Sequence, residues 1–307
     1  MRRAWVGLIL GLAILFVGCG KVYDQPKIDE SEPQPQQEIK IQEDGFDHKM
    51  VEQIRDQLNH EILKEKYLVY DIEGYSETQT KAQRKDMLAK RKKCKGYATE
   101  FTDTVFINDQ PSSNSIYLTF DDGPDREITP QIVKILDEYG VKGNFFFLGD
   151  RVWKFPEVVE DIHERGHYIG IHAFDHVDLR KLTFNEIDAQ ITFTQDEIYK
   201  ITGQRPLLIR PPYGGINEDV IQAVDDHDCK IILWSIDTLD WAQKDPKNIL
   251  KNVKDNLKAG DIILMHSNGG QSATVEALPK IIEIIKEKGY KIASLDELEG
   301  SHRTSRE

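Results

Sequence analysis

SIYLTFDDGPDREITPQIVKILDEYGVKGNFFFLG, residues 115–149, contains a complete pattern of strand, helix and strand. A β-rich run passes into an acidic turn, and the amphipathic helical run that follows stops at Gly140 before a second apolar run. Glycine is common just past a helix because it adopts the left-handed conformation without steric cost. The stretch therefore predicts a βαβ unit with parallel strands.

The same alternation continues to residue 295. Besides 115–120 and 144–149, strands are predicted at 168–172, 207–212, 230–237, 261–266 and 291–295. The helical runs between them also stop at glycines, which are Gly166, Gly203, Gly260 and Gly289. Seven strands in about 180 residues suit either a small, incomplete (β/α) barrel or an open doubly wound sheet. The predicted fold class is therefore α/β.

The composition is that of a globular protein and argues against nucleic acid as the main partner. Hydrophobic residues make up 39% of the 307 residues, charged residues make up 30%, and the formal net charge is −13. Phosphate backbones require a basic surface, which this composition does not provide. We interpret the negative charge as a contribution to solubility.

Residues 1–19 have the pattern of a bacterial lipoprotein signal peptide. Two arginines precede an apolar run, 4–17, that is too short to cross about 30 Å of hydrocarbon. The run leads to Cys19, which the pattern marks for lipidation. An uncleaved or ordinary signal peptide is the alternative. Lipidation of Cys19 predicts an extracytoplasmic protein anchored by lipid to a bacterial membrane.

Two further segments precede the strands. Residues 20–45 are rich in proline, glutamine and acidic residues, which predicts an extended tether. Residues 46–110 form a predicted accessory region that is partly helical, with apolar residues at helical spacing between 50 and 63. Its basic run, 81–95, either contacts anionic lipid or wall polymer, or forms a solvated helix face. Cys94, in this region, and Cys229, in the predicted sheet, either form a disulfide with each other or remain thiols.

Polar residues follow the carboxyl ends of five predicted strands. They are Asp121 with Asp122, His172 with His176, Arg210 with Tyr213, Asp237 with Asp240 and Trp241, and His266. Parallel strands place these ends together, where active sites of such folds lie. Two imidazoles and one carboxylate leave open coordination positions, as in catalytic sites for divalent metals. The histidines thus favour metal-assisted hydrolysis over a glycosidase built on two carboxylates.

The stretch HERGHYIGIHAFDH, 163–176, contains a second histidine pair at the same spacing. His163 and His167 precede the predicted strand, roughly 15 Å or more from its carboxyl end. We therefore predict that they are solvent-facing or capping residues, and that His172 and His176 bind the metal. The absence of HExxH and GxSxG motifs argues against a metalloprotease and a serine hydrolase.

Five ordered motifs resemble those of polysaccharide deacetylases of the NodB-homology type, carbohydrate esterase family 4. They are TFDDGP (119–124), H-x3-H (172–176), RPPYG (210–214), DTLDW (237–241) and LMH (264–266). The resemblance covers about residues 114–298 and leaves a short tail, 299–307. It implies a distorted, incomplete (β/α) barrel, preceded here by a small helical N-terminal segment.

The resemblance also implies a site and a reaction. Asp122, His172 and His176 would bind one divalent ion, with zinc expected first and cobalt, nickel, iron or manganese as the other options. Asp121 would take a proton from a metal-bound water that attacks the acetamide of an N-acetylated sugar, and His266 would protonate the leaving amine. Arg210 would orient the base, and Asp240 would pair with the acid. The Tyr213 N–H would contact the oxyanion, and Trp241 with Leu264 would form the acetyl pocket.

The implied function is removal of N-acetyl groups from an envelope or extracellular glycan. Peptidoglycan is the first expectation, followed by chitin-type oligosaccharides and exopolysaccharide. An O-acetyl xylan or polysaccharide esterase is the alternative within the family, and a catalytically weak glycan-binding module is the alternative outside it. Three positions depart from the family pattern, namely Asn144, Ala173 and Val177. None of them is a proposed ligand, acid or base, so they bear on substrate preference and metal affinity.

Overall fold

The computed structural model describes residues 68–298. The predictions for 1–19 with Cys19, for 20–45, for the helical spacing between 50 and 63, and for the tail 299–307 lie outside the described residues. Within the described part, none of the helices combines the length and the apolar character that crossing a membrane requires.

The described residues contain nine strands, which all pair in parallel. They are β1 (Val105–Phe106), β2 (Ser115–Asp121), β3 (Asn144–Phe147), β4 (Tyr168–Ile171), β5 (Leu208–Ile209), β6 (Lys230–Ile232), β7 (Ile236–Asp237), β8 (Ile262–His266) and β9 (Lys291–Ile292). The order is β1-β6-β5-β4-β3-β2-β8-β7, and β9 pairs with β2 outside this path. The parallel strands and the helices around them form the incomplete (β/α) barrel that the resemblance implies.

Nine α-helices accompany these strands in the described range. They are α1 (Lys81–Glu100), α2 (Ile128–Glu138), α3 (Gly149–Lys154), α4 (Pro156–Glu164), α5 (Phe184–Thr202), α6 (Glu218–Asp226), α7 (Asp240–Gln243), α8 (Pro246–Asn256) and α9 (Ser272–Glu287). The glycines at 140, 166, 203 and 289 have φ values from 64° to 80° just beyond α2, α4, α5 and α9. These helix ends therefore lie where the sequence predicts them.

The predicted strand 230–237 is wrong in one respect, because it is two strands. β6 pairs with β1 and β5, whereas β7 pairs with β8 at the other end of the sheet. Between them, the carbonyls of Ile232 and Leu233 accept hydrogen bonds from Arg210 at 2.9 and 2.8 Å. The chain leaves β6 where these carbonyls bind the Arg210 guanidinium. It then crosses from one end of the sheet to the other, where β7 begins.

The segment 68–76 bonds to both ends of this sheet. The Tyr70 N–H donates to the Asn108 side chain, just beyond β1, at 2.8 Å. Glu73 forms a parallel bridge with Ile236 in β7. The segment therefore spans the seam between β1 and β7.

Helix α1 contains the basic run 81–95, and several of its basic side chains contact other residues of the described chain. Arg91 is buried, the Arg84 guanidinium lies 4.1 Å from the centre of the Tyr75 ring, and Lys95 pairs with Asp71 at 2.8 Å. Contact of the basic run with lipid or wall polymer remains a prediction. Cys94 and Cys229 are both present as thiols.

Candidate active site

The carboxyl ends of the strands bring the predicted polar residues together. Asp121, the last residue of β2, is the ladder partner of His266 at the end of β8. Asp237 in β7 is the partner of Leu264 in the same way. Parallel pairing therefore places the proposed base beside the proposed acid, as the spacing of the motifs predicts.

Asp122, His172 and His176 form a possible metal site. Their candidate ligand atoms lie within 4.8 Å of one another, and the Nε2 atoms of both histidines are 3.2 Å from Asp122 Oδ1. The Nδ1–H of His172 donates to the Arg210 carbonyl oxygen at 2.6 Å, since a carbonyl can only accept. Its Nε2 then presents a lone pair to the carboxylate, and this imidazole orientation is typical of metal ligands.

Two acceptors facing each other at this distance call for a cation between them. Asp122 Oδ1 is buried and has no hydrogen-bond partner among the described residues. Burial raises the pKa of Asp122, but hydrogen bonding and charge interaction with the protonated forms of His172 and His176 lower it more, so that it lies below the usual range. The carboxylate is therefore ionised at neutral pH, and the donor set fits a divalent ion with open coordination positions.

The backbone around this site is held in a conformation that most residues avoid. Asp122, Ala173, His176 and Tyr213 have φ values of 66°, 64°, 61° and 62°. Left-handed conformations at non-glycine residues are sparsely populated, and each costs roughly 1–3 kcal/mol that the surrounding structure must offset. The strain at four neighbouring positions indicates a site whose geometry is set before substrate arrives.

Arg210 holds Asp121 in place. Its side chain is fully buried, and Nη1 donates to Asp121 Oδ1 and to Thr119 Oγ1, both at 2.8 Å. Burial lowers the pKa of Arg210, and the Asp121 carboxylate opposes that shift. Arg210 therefore does more than form an ion pair, because it also orients the predicted base.

His266 is paired with Asp240, as the resemblance implies. Nδ1–H of His266 donates to Asp240 Oδ1 at 2.8 Å, and its backbone N–H donates to Asp240 Oδ2 at 2.8 Å. Thr274 donates to the same Oδ2 atom at 2.7 Å. Burial lowers the pKa of His266, but the carboxylates of Asp240, Asp121 and Asp122 together raise it more, to about 10. His266 is therefore protonated at neutral pH and can act as an acid.

Three residues predicted to touch substrate differ in exposure. Leu264 is buried, whereas Trp241 is 52% exposed and Tyr213 is 64% exposed. Trp241 is therefore not a simple core residue. Tyr213 packs edge-on against His176 with ring centres 4.8 Å apart, and both line a cavity of about 640 Å³ beside the possible metal site. An oxyanion contact from the Tyr213 N–H stays a prediction.

His163 and His167 lie away from the site, but the prediction that both are solvent-facing or capping residues is wrong for His167. Its side chain is buried, and its Nδ1 accepts the Gly143 N–H at 3.0 Å. The ring also packs edge-on against Phe145, 5.7 Å between centres. The left-handed turn at Gly166 directs the chain inward before β4, which places this histidine in the core.

Sequence reasoning missed two residues of the site. The Asn268 side chain donates to Asp122 Oδ2 at 3.4 Å, and Arg91 donates to Asp237 Oδ2 at 3.2 Å. Asn268 could have been found from its position two residues after His266. Arg91 carries no such signal, since it belongs to the basic run of α1.

Comparisons with known proteins agree with this geometry. A family model described as polysaccharide deacetylase matches residues 108–232. A peptidoglycan-N-acetylglucosamine deacetylase of Bacillus cereus is 40% identical over 182 residues, which is 59% of this chain and 66% of the relative. The peptidoglycan-N-acetylmuramic acid deacetylase PdaC of Bacillus subtilis is 34% identical over 247 residues, covering 80% of this chain and 49% of the relative.

A solved structure is similar in fold as well. The crystal structure of the Bc1960 peptidoglycan N-acetylglucosamine deacetylase, in complex with a hydroxamate-type benzamide, superposes with a TM-score of 0.64 at 36% identity. The match covers 66% of this chain and 96% of that chain. The chain therefore belongs to the polysaccharide deacetylase family. It spans less than two thirds of PdaC and 66% of the Bacillus cereus relative.

Proposed function

We propose that this protein is a metal-dependent deacetylase that removes N-acetyl groups from a bacterial envelope glycan, with peptidoglycan as the first substrate to test. The observation that supports it most is the arrangement of Asp122, His172 and His176. The Nε2 atoms of both histidines lie 3.2 Å from the Asp122 carboxylate oxygen, so that one cation could bind all three side chains. The named relatives act on peptidoglycan according to their descriptions. Zinc is the expected ion, with cobalt, nickel, iron or manganese as the other options.

A divalent ion, when bound, supplies Lewis acidity that acidifies a water molecule and polarises the acetamide carbonyl. The residues of the chain supply the proton transfers. Asp121, oriented by Arg210, takes the proton of the attacking water. His266 gives its Nε2 proton to the leaving amine, because its Nδ1–H is engaged by Asp240. The buried Leu264 and the exposed Trp241 form the wall for the acetyl methyl group.

The pairing of His266 favours an amide over an ester as substrate. An amine is a poor leaving group until it is protonated, whereas an alkoxide from an ester depends less on a strong acid. A histidine held protonated by the buried Asp240 carboxylate suits the more demanding case. The O-acetyl esterase is therefore the second candidate, and a glycan-binding module is the third.

The location forms part of the same proposal. An enzyme anchored through lipidated Cys19 outside the cytoplasm would meet peptidoglycan directly. Labelling of the full chain with a fatty acid, and its loss in Cys19→Ala, tests the anchor.

Acetate release from purified peptidoglycan tests the activity. The purified protein is assayed as isolated, after removal of metal, and after return of zinc, with Asp121→Asn as the variant that lacks the base. Metal-dependent acetate that Asp121→Asn abolishes would support the proposal. Release from acetylated xylan alone would favour the esterase, and glycan binding without release from either polymer would favour the binding module.

A further inference from the structure

Arg91 reaches the active-site end of the barrel from outside the family match. It lies in the middle of α1, whereas the match begins at residue 108. Its guanidinium donates to the Gly74 carbonyl at 2.8 Å and to Asp237 Oδ2 at 3.2 Å. The side chain is only 10% exposed, so this ion pair is shielded from water. Such a pair responds strongly to the loss of one partner, because the other charge is then buried alone.

Asp237 stabilises the turn at Leu239, which leads to the pair of Asp240 and His266. Its Oδ1 accepts the Leu239 N–H at 2.9 Å and the indole Nε1–H of Trp241 at 3.4 Å. Leu239 has a left-handed φ of 58° and immediately precedes Asp240. A non-glycine residue in this conformation needs support from its surroundings. The hydrogen bond from its N–H to Asp237 supplies part of that support.

The turn connects directly to the proposed acid. Asp240 follows Leu239 and binds His266 through both carboxylate oxygens. A continuous chain of contacts therefore runs from Arg91 through Asp237 and the turn to Asp240. The backbone adds a second link, since the Asp237 N–H donates to the Glu73 carbonyl at 2.9 Å. A Cβ on Gly74 would lie 2.0 Å from the Asp237 carbonyl oxygen, which shows how closely the segment 68–76 approaches β7.

We propose that Arg91 is a positioning residue for the acid side of the active site, and that the segment 68–76 with α1 is a working part of the catalytic unit. Arg91 touches no reacting atom and acts through Asp237 on the placement of Asp240 and Trp241. The proposal rests on the proposed function for its effect on rate. Its effect on the turn is independent of that function.

The experiment compares Arg91→Gln with Lys92→Gln, which removes the same charge from the exposed neighbour on α1. Arg91→Gln is expected to lower kcat for acetate release about 10- to 100-fold with little change in KM, since it misplaces groups that act in the transition state. Lys92→Gln should retain kcat within about twofold. Arg91→Lys should restore part of the rate, and so should Asp237→Asn added to Arg91→Gln, because it removes the unpaired charge.

A readout without turnover separates this proposal from the proposed function. The indole N–H NMR signal of Trp241, assigned with Trp241→Phe, should shift in Arg91→Gln and stay in place in Lys92→Gln. That result would support the positioning role even if no deacetylase activity were found. Unchanged kcat and an unmoved indole signal in folded Arg91→Gln would overturn the proposal. If Arg91→Gln does not fold, Arg91→Met, which keeps the bulk of the buried side chain and removes its charge, decides by the same signal: a shift supports the role and no shift refutes it.

Discussion

Replacing Asp240 with Asn is expected to make deacetylation sensitive to pH in the neutral range. Asp240 is fully buried and holds His266 through two hydrogen bonds of 2.8 Å. Its charge is the main reason that the pKa of His266 rises to about 10 although burial lowers it. In the Asp240→Asn variant that charge is absent and burial remains. Asp121 and Asp122 still raise the pKa of His266 in this variant, so that it should fall from about 10 towards the ordinary value of about 6.5.

The size of the effect follows from the protonated fraction. At pH 8 a group with a pKa of 10 is about 99% protonated, whereas one with a pKa of 6.5 is about 3% protonated. The variant should therefore lose on the order of 30-fold in kcat at pH 8, and the loss should shrink as the pH falls toward 5. A cation bound at the neighbouring site lowers the pKa of His266 in both proteins. The ratio of the two rates is therefore the quantity to compare.

The assay is acetate release from peptidoglycan fragments between pH 5 and 9, with Thr274→Val as the control. Thr274 donates to Asp240 at 2.7 Å, so its replacement removes a hydrogen bond and leaves the charge. The control should show a small loss that does not depend on pH. A wild-type to Asp240→Asn ratio that stays flat across the range would refute the assignment of His266 as an acid sustained by Asp240.

Three further predictions concern stability and metal binding. The free energy of unfolding should fall by about 3 kcal/mol as the pH drops from 6.5 to 4, because burial holds the pKa of His167 at about 4 and the unfolded chain binds the extra proton. In urea unfolding of His167→Asn, this part of the pH dependence should be missing. An equal dependence on pH in both proteins would contradict the prediction. Asn144→Ala should lower the same free energy by about 2 kcal/mol, because it removes the side-chain hydrogen bond to the Leu118 carbonyl and the acceptor of the buried Leu295 N–H. A loss below about 0.5 kcal/mol would count against this. Zinc at 100 times its Kd should raise the free energy of unfolding by about 2.7 kcal/mol. If zinc raised the free energy of unfolding of His172→Ala by the same amount, the ion would bind at a site other than the one proposed.

Much of the fold could be predicted from local pattern. The strands are short apolar runs, and four of the described helices end at glycines whose positive φ is a local property, whereas α8 ends at Asn256, before the predicted end at Gly260. The site could be predicted for a related reason, since parallel strands place their carboxyl ends together. Asp121 and His266 are separated by more than half of the described chain, and the ladder between β2 and β8 still makes them partners.

The parts that could not be predicted depend on contacts between distant residues. The run 230–237 is predicted as one strand, and it breaks where the Arg210 guanidinium, from 22 positions earlier, donates hydrogen bonds to the carbonyls of Ile232 and Leu233. β1 is two residues long and offers no periodicity to read. His167 has the same spacing as the ligand pair, and only the packing against Phe145 and Gly143 shows it to be a core residue.

The seam between β1 and β7 has a consequence for the order of folding. The segment 68–76 and α1 precede the barrel in the chain, but Arg91 and its partner Asp237 are 146 positions apart. Contacts at such separation form late, because the closure of a long loop must precede them. The proposed metal ligands lie between 122 and 176 and can assemble earlier. A chain interrupted before residue 237 would therefore contain the proposed ligand set but lack the proposed acid, so that under the proposed mechanism it would not yet hydrolyse substrate.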